Sequence, residues 1–457
     1  MTATREGLTF LGTPATAPGP LGPQMLRSMM HIRRDPLDYL ECTWREYGDI
    51  VQFPIPRPPS YLVNDPQGVR DVLVGRARNF DKGTIQYRSL SLLTGNGLLV
   101  AEAQDWRVQR PLVQPAFHNS TLSLISDHVN RALTRSFEGW DRLPSGAVID
   151  ADAAMMHLAL EVVGHALFGT DLSADAGTLT QATLAGLDVV VARARIPITP
   201  PAWMPTPGNR RMAAALRSLD TAVLAMMAER QGRPEAESSD MLDMLMTAVD
   251  DQGRRLTRRE IRDQVVTFIV AGHETVASAL TWAWALLAVH PDIQQELADE
   301  AHAVLDGRLP HFEDYGRLPL ARAVMDEAMR LYPPAWLITR SVLADEVLGG
   351  REIPQSSLVI LSPWLLHRHP QVWSTPSAFR PQRFLEAEVD RTCFIPFGAG
   401  PRQCIGRDFA YVESVLALAA MADRYRFEPA GSDLVPRPLA SVTLRPMDGL
   451  HLRLQRR

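Results

Sequence analysis

The strongest constraint in this sequence is a long segment with no periodic pattern. Residues 368–403 are rich in Pro, Arg and Phe and follow neither a helical nor a strand repeat. A stretch of that length inside a compact domain is either functional or disordered. Its Trp, Phe and Pro content argues against disorder, so the fold must wrap it around something. It ends in Phe397-Gly398-Ala399-Gly400-Pro401-Arg402-Gln403-Cys404-Ile405-Gly406, and a helical pattern over about 405–424 follows at once. A thiol at a helix N-terminus meets unpaired N–H groups and the positive end of the helix dipole, which favour the thiolate. Gly398, Gly400 and Gly406 permit turns and the close approach of a large flat partner. Arg402 is able to pair with an anion. A thiolate, glycine clearance and a nearby arginine describe an axial-ligand site for a haem. A lone cysteine before a helix is more often an inert buried thiol, but the ten-residue pattern outweighs that reading.

The rest of the chain supplies a helical frame. Apolar residues recur at 3–4 spacing in 122–139, 152–168, 177–193, 209–231, 239–250, 256–288 and 292–305, which predicts helices there. A further helix is expected to end near Tyr332, before Pro333-Pro334. Asp49 to Ile55 and Ser60 to Asn64 read as two strands around Pro-Arg-Pro-Pro. Leu358 to Leu361 reads as a strand beyond a Gly349-Gly350 hairpin. The Pro-rich segment 195–208 is expected as a loop between helices, and residues 1–24 as an extended leader. The expected fold class is mainly α with small β-sheets (α+β).

Composition narrows the function. With 47 basic and 52 acidic side chains, net charge is −5, too near neutral for nucleic-acid binding by bulk charge. Lys82 is the only lysine, so the other basic residues are arginines. Three cysteines without a C-x-x-C pair argue against a disulfide framework and a structural zinc site. The first 30 residues lack the pattern of a signal peptide, and no uninterrupted apolar run reaches the roughly 18 residues of a membrane span. A cytoplasmic protein with no membrane span is the expectation.

Four further motifs stand in order along the chain. Trp106 and Arg110 share one helix face, with Pro115-Ala116-Phe117 after them. Ala271-Gly272-His273-Glu274-Thr275 lies within the long helix over 256–288. Glu327-Ala328-Met329-Arg330 places two charges at i,i+3 on one face, and Leu331-Tyr332-Pro333-Pro334 follows. Phe379-Arg380-Pro381-Gln382-Arg383-Phe384 lies inside the irregular stretch. Each is weak alone: the first two are also what ordinary helices carry, and E-x-x-R is also a common surface ion pair.

Together with F-G-x-G-x-R-x-C-x-G, they make the chain resemble the cytochrome P-450 (haem-thiolate) monooxygenases, of the soluble bacterial type. The resemblance spans roughly residues 40–450, and it departs at Gln382, where the family usually has Glu, and at Val276, where many members carry a second Thr or Ser. It implies one haem domain over 25–457, with haem b (iron protoporphyrin IX) between the long central helix and the cysteine-loop helix. Cys404 would be the iron ligand and Phe397, Gly398 and Gly406 part of its loop. Arg402, Trp106, Arg110 and Arg340 would meet the propionates. Glu327, Arg330 and Arg383 would form a buried ionic triad. Ala271 and Gly272 would lie over the haem, Gly272 leaving space for dioxygen, and Glu274 and Thr275 would help deliver protons. Ile85, Tyr87, Leu92, Leu98, the 195–208 loop, Val270, Leu337 and Ile338 would wall a mostly apolar substrate pocket.

The implied activity is O2-dependent hydroxylation or epoxidation of an apolar small molecule, with a terpenoid or similar natural-product intermediate favoured. Fatty-acid hydroxylation, peroxide use or hydroperoxide rearrangement, and non-catalytic haem binding are the alternatives. No dinucleotide or flavin motif is visible, so electrons from NAD(P)H would arrive through a soluble ferredoxin and its reductase, and the resemblance implies a monomer. Arg391, Arg402 and Arg407 either meet that acidic partner or serve the haem and helix ends.

Overall fold

The computed structural model describes residues 15–54, 59–118, 122–169, 176–194, 200–201, 203–230, 240–249, 253–386, 389–431 and 435–457. Part of the expected leader (1–14), the Pro-rich turn at 55–58 and residues 195–199 and 202 of the expected loop lie outside them.

The principal helices are α1 (Pro36–Tyr47), α2 (Ile85–Thr94), α3 (Ala103–Val113), α4 (Ile125–Asp141), α5 (Ala151–Phe168) and α6 (Ala176–Ala194). They continue as α7 (Pro207–Arg230), α8 (Met241–Thr247), α9 (Arg258–Ala288), α10 (Pro291–Leu305), α11 (Pro319–Leu331) and α12 (Arg407–Arg424). The strands are β1 (Ile50–Phe53), β2 (Ser60–Val63), β3 (Phe80–Asp81), β4 (Val148–Asp150), β5 (Ile338–Val342), β6 (Glu346–Leu348), β7 (Arg351–Ile353) and β8 (Leu358–Leu361). After α12 come β9 (Tyr425–Pro429), β10 (Pro438–Ala440), β11 (Leu444–Pro446) and β12 (His451–Arg456).

Local chemistry sets the ends of these elements. Thr257 and Glu260 form a reciprocal capping box that starts α9: the Glu260 N–H donates to Thr257 Oγ1 at 3.2 Å and the Thr257 N–H to Glu260 Oε2 at 2.8 Å. Asp150 caps α5 by accepting from the Ala153 N–H at 3.0 Å, and left-handed Gly169 closes it. α11 stops at Leu331, ahead of the two prolines, as its sequence predicts. Two features depart from the sequence reading. A short helix, Gly22–Arg27, begins within the last residues of the leader expected over 1–24, and α1, which periodicity did not flag, begins at Pro36 behind an Asp35 cap.

The main apolar core gathers around α9. Trp282, Trp284 and Leu280 on α9 are buried with Leu160 and Phe168 of α5, Val324 of α11 and Leu416 of α12. Among the described residues, α5 and α9 are long and apolar enough to cross a membrane by length and composition. In the fold, 83% of the qualifying window of each is buried.

A five-stranded sheet, order β1-β2-β8-β5-β3, covers a second core. β2 runs parallel to β8, and the remaining pairs are antiparallel. The β3–β5 register pairs Asp81 with Ser341, which brings Asp81 and Lys82 beside Arg340 although some 260 residues of chain separate them.

The irregular stretch is ordered by one buried arginine. Arg330 on α11 donates from Nη1 to the carbonyls of His367 (2.9 Å) and Pro376 (2.7 Å) and from Nη2 to that of Ala378 (3.0 Å). Its Nε and Nη2 grip Glu327 at 2.7 and 2.8 Å, so all five N–H donors are used. His367 accepts the Ile395 N–H at its Nε2, 2.9 Å away, which requires a neutral ring, and burial lowers its pKa to about 3. A short helix, Gln382–Leu385, interrupts the stretch that the sequence reads as wholly irregular.

Candidate active site

Residues 395–406 form a tight loop ahead of α12. The Gly398 N–H donates to Ile395 O, the Gln403 N–H to Gly400 O and the Cys404 N–H to Phe397 O, each at 3.0 Å. Gly400 has φ +68°, and an added Cβ would sit 2.0 Å from the Leu73 carbonyl oxygen. This position therefore needs glycine both for its backbone angle and for close packing. The Phe397 ring packs on Tyr411 at 4.9 Å between centroids. Gly406, by contrast, has ordinary backbone angles as the N-cap of α12.

Cys404 is accessible on one side, yet lies deep enough that burial pushes its thiol pKa up. The Gly406 N–H, Arg110, Arg407 and Lys82 act the other way and favour the thiolate.

Four cations stand within electrostatic reach of one another or of the sulfur. Lys82 is buried and donates from Nζ to Leu99 O at 2.6 Å, with its charge 4.9 Å from the centre of the Tyr87 ring. Burial, then Arg340 and Arg402, holds its pKa well below the usual lysine value. Arg402 donates to Ala101 O (2.7 Å) and Asp81 Oδ1 (3.1 Å) and lies over Trp106, 4.5 Å from the ring centroid. Its pKa is lowered to about 10, chiefly by desolvation. Arg340 donates to Tyr87 Oη at 3.3 Å and Arg110 to Gln403 O at 2.9 Å. Asp81 is the acid that pairs with this set. Lys82 and Arg340 are buried and Arg402 and Arg110 half-buried, so an anion bound among them would offset the crowding that lowers the Lys82 and Arg402 pKa values.

The central helix carries the matching feature. From residue 263 to 288, α9 is buried except at Ala271, Gly272 and Thr275. Those positions share one helical face. The Thr275 hydroxyl donates to Ala271 O at 2.7 Å. A Cβ on Gly272 would meet Val163 Cγ2 at 2.9 Å, so this glycine is also required where α5 packs on α9, a role the sequence reading did not give it. His273 is buried and bonds Ile269 O, as a core residue does. Glu274 is buried, and desolvation raises its pKa to about 7.

The ionic triad residues meet as expected. Glu327 is fully buried and takes Arg330 through both oxygens, Arg383 Nε at 3.1 Å and the Arg380 N–H at 2.9 Å. Gln382 takes no part: its amide reaches outward to Glu296.

The expected pocket residues are placed more variously. Leu98, Val270 and Ile338 are buried, Leu337 is half-buried, and Ile85 and Leu92 present surface from α2. Tyr87 belongs to the cationic cluster through Arg340 and Lys82 rather than to an apolar wall. Within the expected 195–208 loop, α7 already starts at Pro207, and Trp203 is 80% exposed. Arg407 pairs with the adjacent Asp408 at 2.9 Å, and Arg402 turns inward. Lys82 is the site residue that motif reading missed; the available signal was that it is the only lysine.

The chain matches the family model described as cytochrome P450 over residues 18–452. It belongs to the cytochrome P450 family. Among curated relatives, cyclooctatin synthase of Streptomyces melanosporofaciens is 38% identical, with 91% of each chain covered. Cyclooctat-9-en-7-ol 5-monooxygenase of the same species is 35% identical over 91% of this chain and 90% of its own. Pentalenene oxygenase of Streptomyces avermitilis is 35% identical over 97% of both. Membership brings a haem, dioxygen as co-substrate and a supply of electrons to this P450. The residues present fit that cofactor: a sulfur donor at a helix N-terminus, buried cations in excess for its carboxylates, and an accessible row on an otherwise buried helix.

Proposed function

We propose that this P450 is a monooxygenase that hydroxylates or epoxidises a terpenoid. The observation that carries the reaction class is the combination of the accessible Cys404 thiol with the accessible Ala271-Gly272-Thr275 row. The substrate class rests on relatives named for pentalenene and cyclooctat-9-en-7-ol, an alkene and an alkenol by name, and on the apolar character of Leu98, Val270 and Ile338. The reading treats 25–457 as one haem domain in the cytoplasm. Electrons come from NAD(P)H through a soluble ferredoxin and its reductase.

Haem b, when bound, supplies reductive activation of dioxygen. The chain does the rest. Cys404 would hold the iron as a thiolate, the form favoured by the Gly406 N–H and by Arg110, Arg407 and Lys82. Arg402, Arg340, Lys82, Arg110 and Trp106 would take the propionates, whose negative charge would relieve the crowding of positive charge at Lys82 and Arg402. Thr275, its hydroxyl proton engaged by Ala271 O, keeps its oxygen lone pairs for a water on the accessible face. Glu274, with a pKa of about 7, both holds and releases a proton near neutrality.

Two measurements test this. Sesquiterpene and diterpene hydrocarbons should shift the ferric spin state at micromolar concentration, and long-chain fatty acids should not. A shift with fatty acids alone would replace the terpenoid assignment. Thr275→Ala should lower product formed per NAD(P)H by roughly tenfold, with peroxide released instead. Coupling equal to wild type would remove Thr275 from proton delivery.

A further inference from the structure

Three consecutive residues at the tip of the β10–β11 hairpin are fixed to the central helices. The Thr443 hydroxyl donates to Glu274 Oε1 at 2.8 Å. The Leu444 carbonyl accepts from Ser278 Oγ at 2.6 Å and from Trp282 Nε1 at 2.8 Å. Arg445 reaches Asp152 on α5 at 2.6 Å. Glu274, Ser278 and Trp282 stand at i, i+4 and i+8, a single row along α9. The hairpin tip therefore reads one line of the helix, and its register is set by two bonds to one carbonyl before Thr443 meets the carboxyl. Thr443 and Leu444 are both buried.

At about 100° per residue, Glu274 projects roughly a quarter-turn or more from the centre of the Ala271-Gly272-Thr275 face. Its carboxyl is tied to the hairpin, on the flank of that face. We propose that Thr443 is a positioning residue for Glu274: the C-terminal hairpin, held in register by the Leu444 carbonyl, fixes the orientation of the carboxyl beside the accessible face. This rests on the reading of Glu274 as a proton-delivery group. A hydroxyl donated to the carboxylate stabilises the charged form, and Arg445 acts in the same direction, while Asp188 and Asp152 oppose it.

The test uses the ferric holoenzyme and an infrared pH titration of the Glu274 carboxyl stretch, assigned by its absence in Glu274→Gln. Wild type should titrate near pH 7. Thr443→Val, which keeps the shape and removes the hydroxyl, should raise the midpoint by about half to one pH unit. Thr443→Ser, which restores the hydroxyl, should return it to the wild-type value. A Thr443→Val midpoint equal to wild type, or a Thr443→Ser midpoint shifted as far as that of Thr443→Val, overturns the proposal. Product per NAD(P)H, measured on Glu274→Gln, tests the underlying reading separately. Unchanged coupling there removes Glu274 from proton delivery, even where the titration confirms that Thr443 controls its carboxyl.

Discussion

Cys404→Ala should abolish monooxygenation and, in the reduced protein under carbon monoxide, the absorption band typical of a thiolate ligand. The effect is expected to be total because no second sulfur is placed to substitute. Among the described residues, Cys393 is buried and bonds Asp390, and Cys42 is exposed on α1. Cys404→Ser is the informative companion. It keeps the Phe397 carbonyl bond to its backbone N–H and the cap of α12, so the fold should persist while the donor atom changes from sulfur to oxygen. A thiolate-type band in the alanine variant would disprove the assignment of Cys404.

Glu327→Gln should have the second-largest effect, and on a different quantity. Glu327 is fully buried and balances Arg330 and Arg383 while accepting the Arg380 N–H. Removing its charge strands two buried guanidinium groups, at a cost of about 3–5 kcal/mol. The loss should appear as a fall of about 3–5 °C in the thermal midpoint followed by circular dichroism, and as faster release of haem from the cysteine loop. Arg330→Lys should fall short as well, because a lysine offers three donors where the arginine makes five bonds. A midpoint within a degree of wild type would show that the triad carries no load.

The parts of this site that are legible in the sequence are those written in short spans. The cysteine loop, the Glu327–Arg330 pair and the Ala271–Thr275 segment each lie within about ten residues, and their chemistry depends on local spacing. The helices over 256–288 and 292–305 were legible for the same reason, since burial on one helix repeats at a fixed interval. Lys82 and Thr443 were not. Lys82 enters the site through the pairing of β3 with β5, and Thr443 reaches Glu274 from 169 positions away. Gly272 shows a subtler limit: the sequence suggests room for a ligand, and the structure adds the Val163 side chain against which α5 packs. Order in 368–403 was foreseen from its aromatic content, but its cause was not, because the carbonyls that Arg330 binds have no side-chain signature.

The burial of Lys82 has a practical consequence. Every other basic side chain in these 457 residues is an arginine, whose charge does not titrate in the working range and which amine-directed reagents do not modify. The folded chain thus offers such reagents no exposed lysine, and acylating cross-linkers have no lysine through which to trap a docked partner. Unfolding changes this at one place. Acylation located at Lys82 by peptide mass then counts openings of the β3–β5 edge, and so records how often this part of the interior meets solvent.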